Sequence, residues 1–134
     1  MRDELISRLK KHEGFNGLPY TDIKGNLTIG YGLKLPLTKD ESEFLLKHRL
    51  YKKRSELIQK WNKFLSLPGS VQSIVLEMCY QLGVNGFLTF KKTIKYLENR
   101  QWKGASREML NSKWAIQTPN RANELSKLLS KVRV

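Results

Sequence analysis

Between Glu13 and Gly32, in EGFNGLPYTDIKGNLTIGYG, the chain breaks the helical period that runs through nearly all the rest of it. Two extended segments, Leu18–Asp22 and Asn26–Tyr31, flank Lys24-Gly25 and predict a β-hairpin. In the second segment Leu27, Ile29 and Tyr31 alternate with Thr28, Gly30 and Gly32, so Thr28 is expected to point away from the apolar row. Tyr20 and Asp22 share a face of the first segment, and Asp22 sits at the turn, across from the strand carrying Thr28. Glu13 ends the preceding helix. A hairpin inserted there would let two carboxylates and a hydroxyl converge on one groove, a constellation compatible with acid–base chemistry on a sugar bond. Spacing alone equally allows a solvated Glu13 at a helix end and a turn Asp22 that accepts backbone hydrogen bonds.

The flanking segments are helical. Arg2–His12 places Leu5, Ile6 and Leu9 on one face. His12 has no Ser or Cys partner nearby and is read as a half-exposed helix-end residue. Pro36 is expected to stop strand pairing. Thr38 followed by Glu41 is a capping box, opening a long helix to about Gln59. Phe44, Leu45, Tyr51, Leu57 and Ile58 are its apolar positions, and Lys47–Arg54 is a basic run read as a solvated face. Trp61–Leu65 is a short connector broken by Pro68-Gly69-Ser70. Val71, Ile74, Val75, Met78, Cys79 and Leu82 then make a nearly all-round apolar helix, the expected central core helix, ended by Gly83. Tyr80 and Gln81 near its end have polar tips that suit a groove; Tyr80 reads equally as a core aromatic. Small helices follow through Phe90, Ile94, Leu97 and Trp102. Thr118-Pro119 starts the last one, with Thr118 as N-cap and Ala122, Leu125, Leu128 and Leu129 inward. Arg121 in its first turn opposes the helix dipole and so calls for an anionic partner.

Totals narrow the classes. At 134 residues the chain is one domain, or two small lobes sharing a helix. Lys plus Arg number 25 against 12 Asp plus Glu, a net charge of +13, which favours polyanionic partners such as nucleic acid or an anionic cell wall. The basic residues are scattered and form no aromatic-interleaved strip, so no specific nucleic-acid partner is expected. The lone Cys79 excludes an intrachain disulfide and reads as a small core residue. The N-terminal stretch reads as a charged amphipathic helix, not a signal peptide, and no apolar run reaches the ~20 residues of a membrane span.

Glu13, eight residues, Asp22, five residues, Thr28 and then Ile29-Gly30-Tyr31-Gly32 resembles the active-site signature of the phage lysozymes of the T-even type, glycoside hydrolase family 24. Further blocks follow in that family's order and cover most of the chain: Leu37–Glu41, Tyr80–Gly83, Ser112–Trp114 and Gln117–Ala122. The resemblance implies an α+β, mainly α, lysozyme-like two-lobed fold. Residues 13–37 would form a small hairpin lobe, 38–59 a connecting helix, and 60–134 together with 1–12 a helical lobe. It implies an endolysin that hydrolyses the β-1,4 bond between N-acetylmuramic acid and N-acetylglucosamine in peptidoglycan, with inversion. Glu13 would be the general acid, Asp22 and Thr28 would position and activate water, and Arg121 would hold Glu13 in place. No cofactor or metal is expected. The protein would be a monomer in the host bacterial cytoplasm, released to the periplasm in a holin-dependent way, where its basic surface meets the anionic wall.

Sugar contacts are implied at Tyr80, Gln81 and Thr93. Two further substrate-binding positions are implied at Glu108 and Lys34, where the chain departs from the family's pattern with Glu in place of Asn and Lys in place of a substrate-lining Leu; Leu33 likewise stands in place of His. It is also short: Gly32 reaches Thr38 in a few residues, where the family carries a further extended segment and a helix. A lower rim and a weaker hold on outer sugars are expected from that loss. Two other readings stay open. A lytic transglycosylase would cleave the same bond without water, and a basic binding module would keep the fold without turnover.

Overall fold

The computed structural model describes residues 2–134 and divides the chain into two compact units, one ending at Leu45 and one running from Leu46 to Val134. The first unit holds helix α1 (Asp3–Glu13), a three-stranded antiparallel sheet of β1 (Asn16–Thr21), β2 (Leu27–Gly30) and β3 (Leu33–Lys34) in that order, and the start of α2 (Lys39–Lys60). The expected hairpin is present, and a third strand extends it. Leu35 still donates its N–H to the Leu27 carbonyl, so Pro36 ends pairing only after β3 has formed. Pairing between β1 and β2 slips between Asn16 and Tyr20. Pro19 lies in that slip and has no N–H to give a ladder.

This unit buries little. Among its described residues Thr28 alone is buried, while Phe15, Leu18, Ile23, Leu27, Tyr31 and Leu33 are exposed. The alternation in β2 therefore has the expected period with the covered side on Thr28, not on the Leu27 row. Helix α1 buries no residue, and Phe44 near the start of α2 stands exposed, as does Tyr51 further along that helix in the second unit. The Thr38 capping box forms as expected: Thr38 N–H donates to Glu41 Oε1 at 2.8 Å, and Glu41 N–H to Thr38 Oγ1 at 3.1 Å.

The second unit carries the core. After the end of α2 come a 3-10 turn (Asn62–Ser66), α3 (Gly69–Leu82), α4 (Val84–Leu88), α5 (Lys91–Glu98), α6 (Trp102–Met109), α7 (Lys113–Gln117) and α8 (Pro119–Ser130). Helix α3 buries Val71, Ile74, Val75, Met78 and Cys79, as its apolar run requires. Leu57, Phe64, Phe87, Leu97, Met109 and Leu125 close around it, with the three tryptophans Trp61, Trp102 and Trp114. Burial pushes the Cys79 thiol up to about 12, so it stays a protonated packing group. The last helix turns Ala122, Leu125, Ser126 and Leu129 inward. Leu128 is exposed instead of inward, and Ser126 takes the i+4 position, its hydroxyl donating to the Ser106 carbonyl at 2.8 Å. Thr118 precedes α8 but its hydroxyl turns back to the Trp114 carbonyl, leaving the helix without a side-chain cap. Phe64 is fully buried beneath this packing. Phe64→Ala should cost about 3–5 kcal/mol, to be read from urea unfolding followed by circular dichroism.

Candidate active site

Asp22 is built into the turn that joins β1 to β2. Its Oδ1 accepts the backbone N–H of Lys24 at 2.9 Å and that of Asn26 at 2.7 Å. Its own N–H donates to the Asn26 carbonyl, and Gly25 N–H returns to its carbonyl at 3.0 Å. The carboxylate therefore folds the turn as well as facing out of it. Its Oδ2 meets the Lys34 ammonium at 3.3 Å and the Asn26 amide nitrogen at 3.4 Å. Backbone donation from Asn26 is the largest influence on its ionisation, and with the Asn26 amide, Lys34 and Lys24 it outweighs partial burial, so Asp22 is held below the usual carboxylate range. The sign follows: what this adds to folding stability is present in full above the ordinary range, about pH 4, and is lost as pH falls through the lowered value.

Thr28 lies opposite Tyr20 on one side and Lys34 on the other. Opposed residues in antiparallel strands share a face, so Tyr20, Thr28 and Lys34 form one row across the sheet. The Thr28 hydroxyl donates to the Asn26 carbonyl at 2.9 Å. With its proton spent there, its lone pairs can only accept. Asn26 thus serves both candidate residues, donating to Asp22 and accepting from Thr28, where the sequence marked it only as the first residue of the second extended segment.

Glu13 is the last residue of α1, and Gly14 turns the chain with φ +69°. Its carboxylate lies against Gly32, so that a Cβ at Gly32 would run into the Glu13 Oε2. Gly32 also has φ +68°, a region that suits glycine.

The remaining candidates belong to the second unit. Tyr80 is 37% exposed and lines a concavity with Arg49, Lys52, Lys53 and Glu56. Thr93 is buried on α5, and it lines, with Glu108, Phe90 and Trp114, a separate open cavity of about 640 Å³. Gln81 lines neither; its Oε1 accepts the indole N–H of buried Trp114 at 2.8 Å and so ties α3 to α7. The anion that the place of Arg121 demands is Glu77, whose Oε2 takes the Arg121 Nε–H at 2.7 Å. Glu77 is the one acidic residue of α3, which was its signal in the sequence. Among the described residues no group of acidic, His and Cys side chains has the geometry to hold a metal ion.

Residues 10–131 match the phage lysozyme family. The chain belongs to the phage lysozyme family. It is thereby a member of a glycoside hydrolase family, and the match takes in the sheet, α2 and the helical unit. Two relatives come from Dictyostelium discoideum. A probable T4-type lysozyme 2 is 27% identical over 157 aligned positions, covering 93% of this chain and 92% of the relative. A probable T4-type lysozyme 1 is 47% identical over 51 residues, which is 38% of this chain and 30% of the relative. The longer alignment exceeds the chain's 134 residues, so that relative carries positions this chain lacks.

The contact at Gly32 separates two effects that are usually mixed. Gly25 has φ +85° and nothing within 4 Å of the place a Cβ would take, whereas Gly32 has the same sign of φ and the Glu13 carboxylate in the way. Gly25→Ala and Gly32→Ala should each lower stability by roughly 1 kcal/mol through backbone strain. Only Gly32→Ala should also displace Glu13; with Glu13 in the role that the resemblance implies for it, hydrolysis of bacterial cell walls should fall steeply in that variant and remain in Gly25→Ala when both are assayed well below their melting temperatures.

Proposed function

We propose that this chain is a peptidoglycan-hydrolysing lysozyme that cleaves the β-1,4 bond between N-acetylmuramic acid and N-acetylglucosamine with inversion. Membership of the family supports the reaction class. The observation that carries the division of labour is the hydrogen-bond inventory at the β1–β2 turn. Asp22 Oδ1 is filled by two backbone donors, and the Thr28 hydroxyl has given its proton to Asn26. Asp22 Oδ2 and Thr28 Oγ1 are then both acceptors toward a water, which would spend its two protons on them and keep an oxygen lone pair for the sugar.

In the proposed reaction that lone pair attacks the anomeric carbon from one face of the ring. The bond to the glycosidic oxygen breaks, and Glu13 gives that oxygen its proton. Asp22 takes a proton from the attacking water. The product is a hemiacetal of inverted configuration, and proton exchange with solvent restores Glu13 and Asp22. The lowered ionisation range of Asp22 suits this role, because the base must be charged while the acid still holds its proton. Tyr80, Thr93, Gln81 and Glu108 are proposed to line the sugar path, as the resemblance implies. Arg121 is proposed to support Glu13; its Nε–H is taken by Glu77, and a guanidinium has four further N–H donors for a second carboxylate.

Substrate encounter is proposed to draw on the net charge of +13, which favours an anionic wall. No described helix is long and apolar enough to cross a membrane. A lytic-cycle role with release to the periplasm is proposed from the resemblance to phage enzymes. Without that setting the chemistry is unchanged.

Glu13→Gln should leave the circular dichroism spectrum and melting temperature in place. It should reduce clearing of outer-membrane-permeabilised bacteria by roughly 10²- to 10⁴-fold, the usual worth of a general acid. Lysis at the wild-type rate would exclude Glu13 as the acid. A 1,6-anhydro product would point to the transglycosylase reading, and no turnover in a zymogram to a binding module. With the segment between β3 and α2 so short, kcat/KM should rise little beyond the sugars nearest the cleaved bond when oligosaccharides of increasing length are compared; a strong preference for long chains would contradict that.

A further inference from the structure

Lys34 is the departure from the family's pattern that the fold brings nearest to the proposed chemistry. The register places it directly opposite Thr28, in the row that runs from Tyr20 across all three strands. Asp22 follows Tyr20 by two residues, and so comes to the same side. The third strand, although only Leu33–Lys34, thus delivers an ammonium to the outward oxygen of Asp22, with Nζ 3.3 Å from Oδ2. Lys34 is 64% exposed and Asp22 23%, so this is an ion pair at the mouth of the turn.

The two oxygens of Asp22 are not equivalent. Oδ1 is committed to the backbone of the turn. Oδ2 has a long contact from the Asn26 amide at 3.4 Å, and otherwise only Lys34. Whatever Asp22 does to a water, it does through the oxygen that Lys34 touches. The charged groups that bear on this carboxylate are few: Lys34 from β3 acts through its ammonium, and Lys24 in the turn acts through its backbone N–H.

We propose that Lys34 is a positioning residue of this enzyme, fixing Asp22 Oδ2 by a direct ion pair so that the base stays ionised, and the enzyme active, in more acidic medium than an apolar residue at that place would allow. This rests on the reading of Asp22 as the group that activates water. The cation acts by favouring the charged carboxylate, and its removal lets Asp22 take up a proton at higher pH. The same attraction makes Asp22 a slightly weaker base where it is fully ionised. Lys34 therefore exchanges a little rate at neutral pH for activity in acid.

The test is a charge series read in two ways. First, the carboxyl carbon of Asp22 is titrated by NMR in the free protein, which needs no turnover. In 20 mM salt Lys34→Met should raise the midpoint, Lys34→Glu should raise it further, and Lys34→Arg should keep it near wild type. In 1 M sodium chloride wild type and Lys34→Met should converge, because an exposed pair is screened. Second, the acid limb of kcat/KM on purified peptidoglycan should move with the same order and the same salt dependence. An Asp22 midpoint identical in wild type and Lys34→Met at low salt would overturn the pair itself. A midpoint that moves while the acid limb stays fixed would overturn the positioning role. A wild-type protein that fails to cleave peptidoglycan at any pH would instead overturn the hydrolase reading, with the titration still reporting whether the ion pair exists.

Discussion

The turn that closes on Asp22 is the constraint from which the rest of the first unit follows. Up to Leu45 only Thr28 is buried among the described residues, so this unit has almost no apolar interior to order it. Its order comes from hydrogen bonds. Asp22 binds two backbone N–H groups, Asn26 returns a carbonyl to the Thr28 hydroxyl, and the strand row from Tyr20 to Lys34 is set by the register this turn imposes. The residues proposed to handle water are thus the same ones that hold the sheet together. A side-chain oxygen used in this way is difficult to replace by alanine, which would leave two turn donors unpaired, whereas an amide oxygen could still accept both and would lose only the charge.

The second unit is organised on the opposite principle. Its central helix is apolar on nearly every side, and the polar groups that enter its interior are matched one to one. Gln81 takes the Trp114 indole proton, Glu98 that of Trp61, and Ser126 bonds the Ser106 carbonyl. Among the described residues no buried side-chain polar atom lacks a partner. Such a unit has the burial and satisfaction that make a cooperative core. Gln81 illustrates this: its Oε1 orients the indole of a buried tryptophan.

Legibility in the sequence followed the range of the interaction. The Thr38–Glu41 capping box, the stop at Gly83 and the apolar period of α3 are local, and each was readable. Glu13, Asp22 and Thr28 stood out as candidates because their spacing resembles a family signature. What escaped was set by pairing between distant segments. Strand β3 is two residues long and has no period of its own, so the cation it brings to Asp22 could not be seen in advance. Alternation in β2 gave two faces without saying which one is covered. Arg121 announced that it needed an anion, and only packing could name Glu77.

All three tryptophans, Trp61, Trp102 and Trp114, lie buried in the second unit, and none lies before Leu46. Indole emission is therefore a reporter on the helical core, blind to the first unit, which carries the proposed acid and base. Because the sheet has so little interior, it belongs to the part of the molecule that opens at low free-energy cost. A fluorescence melt would describe a protein still intact at temperatures where its chemistry had already stopped.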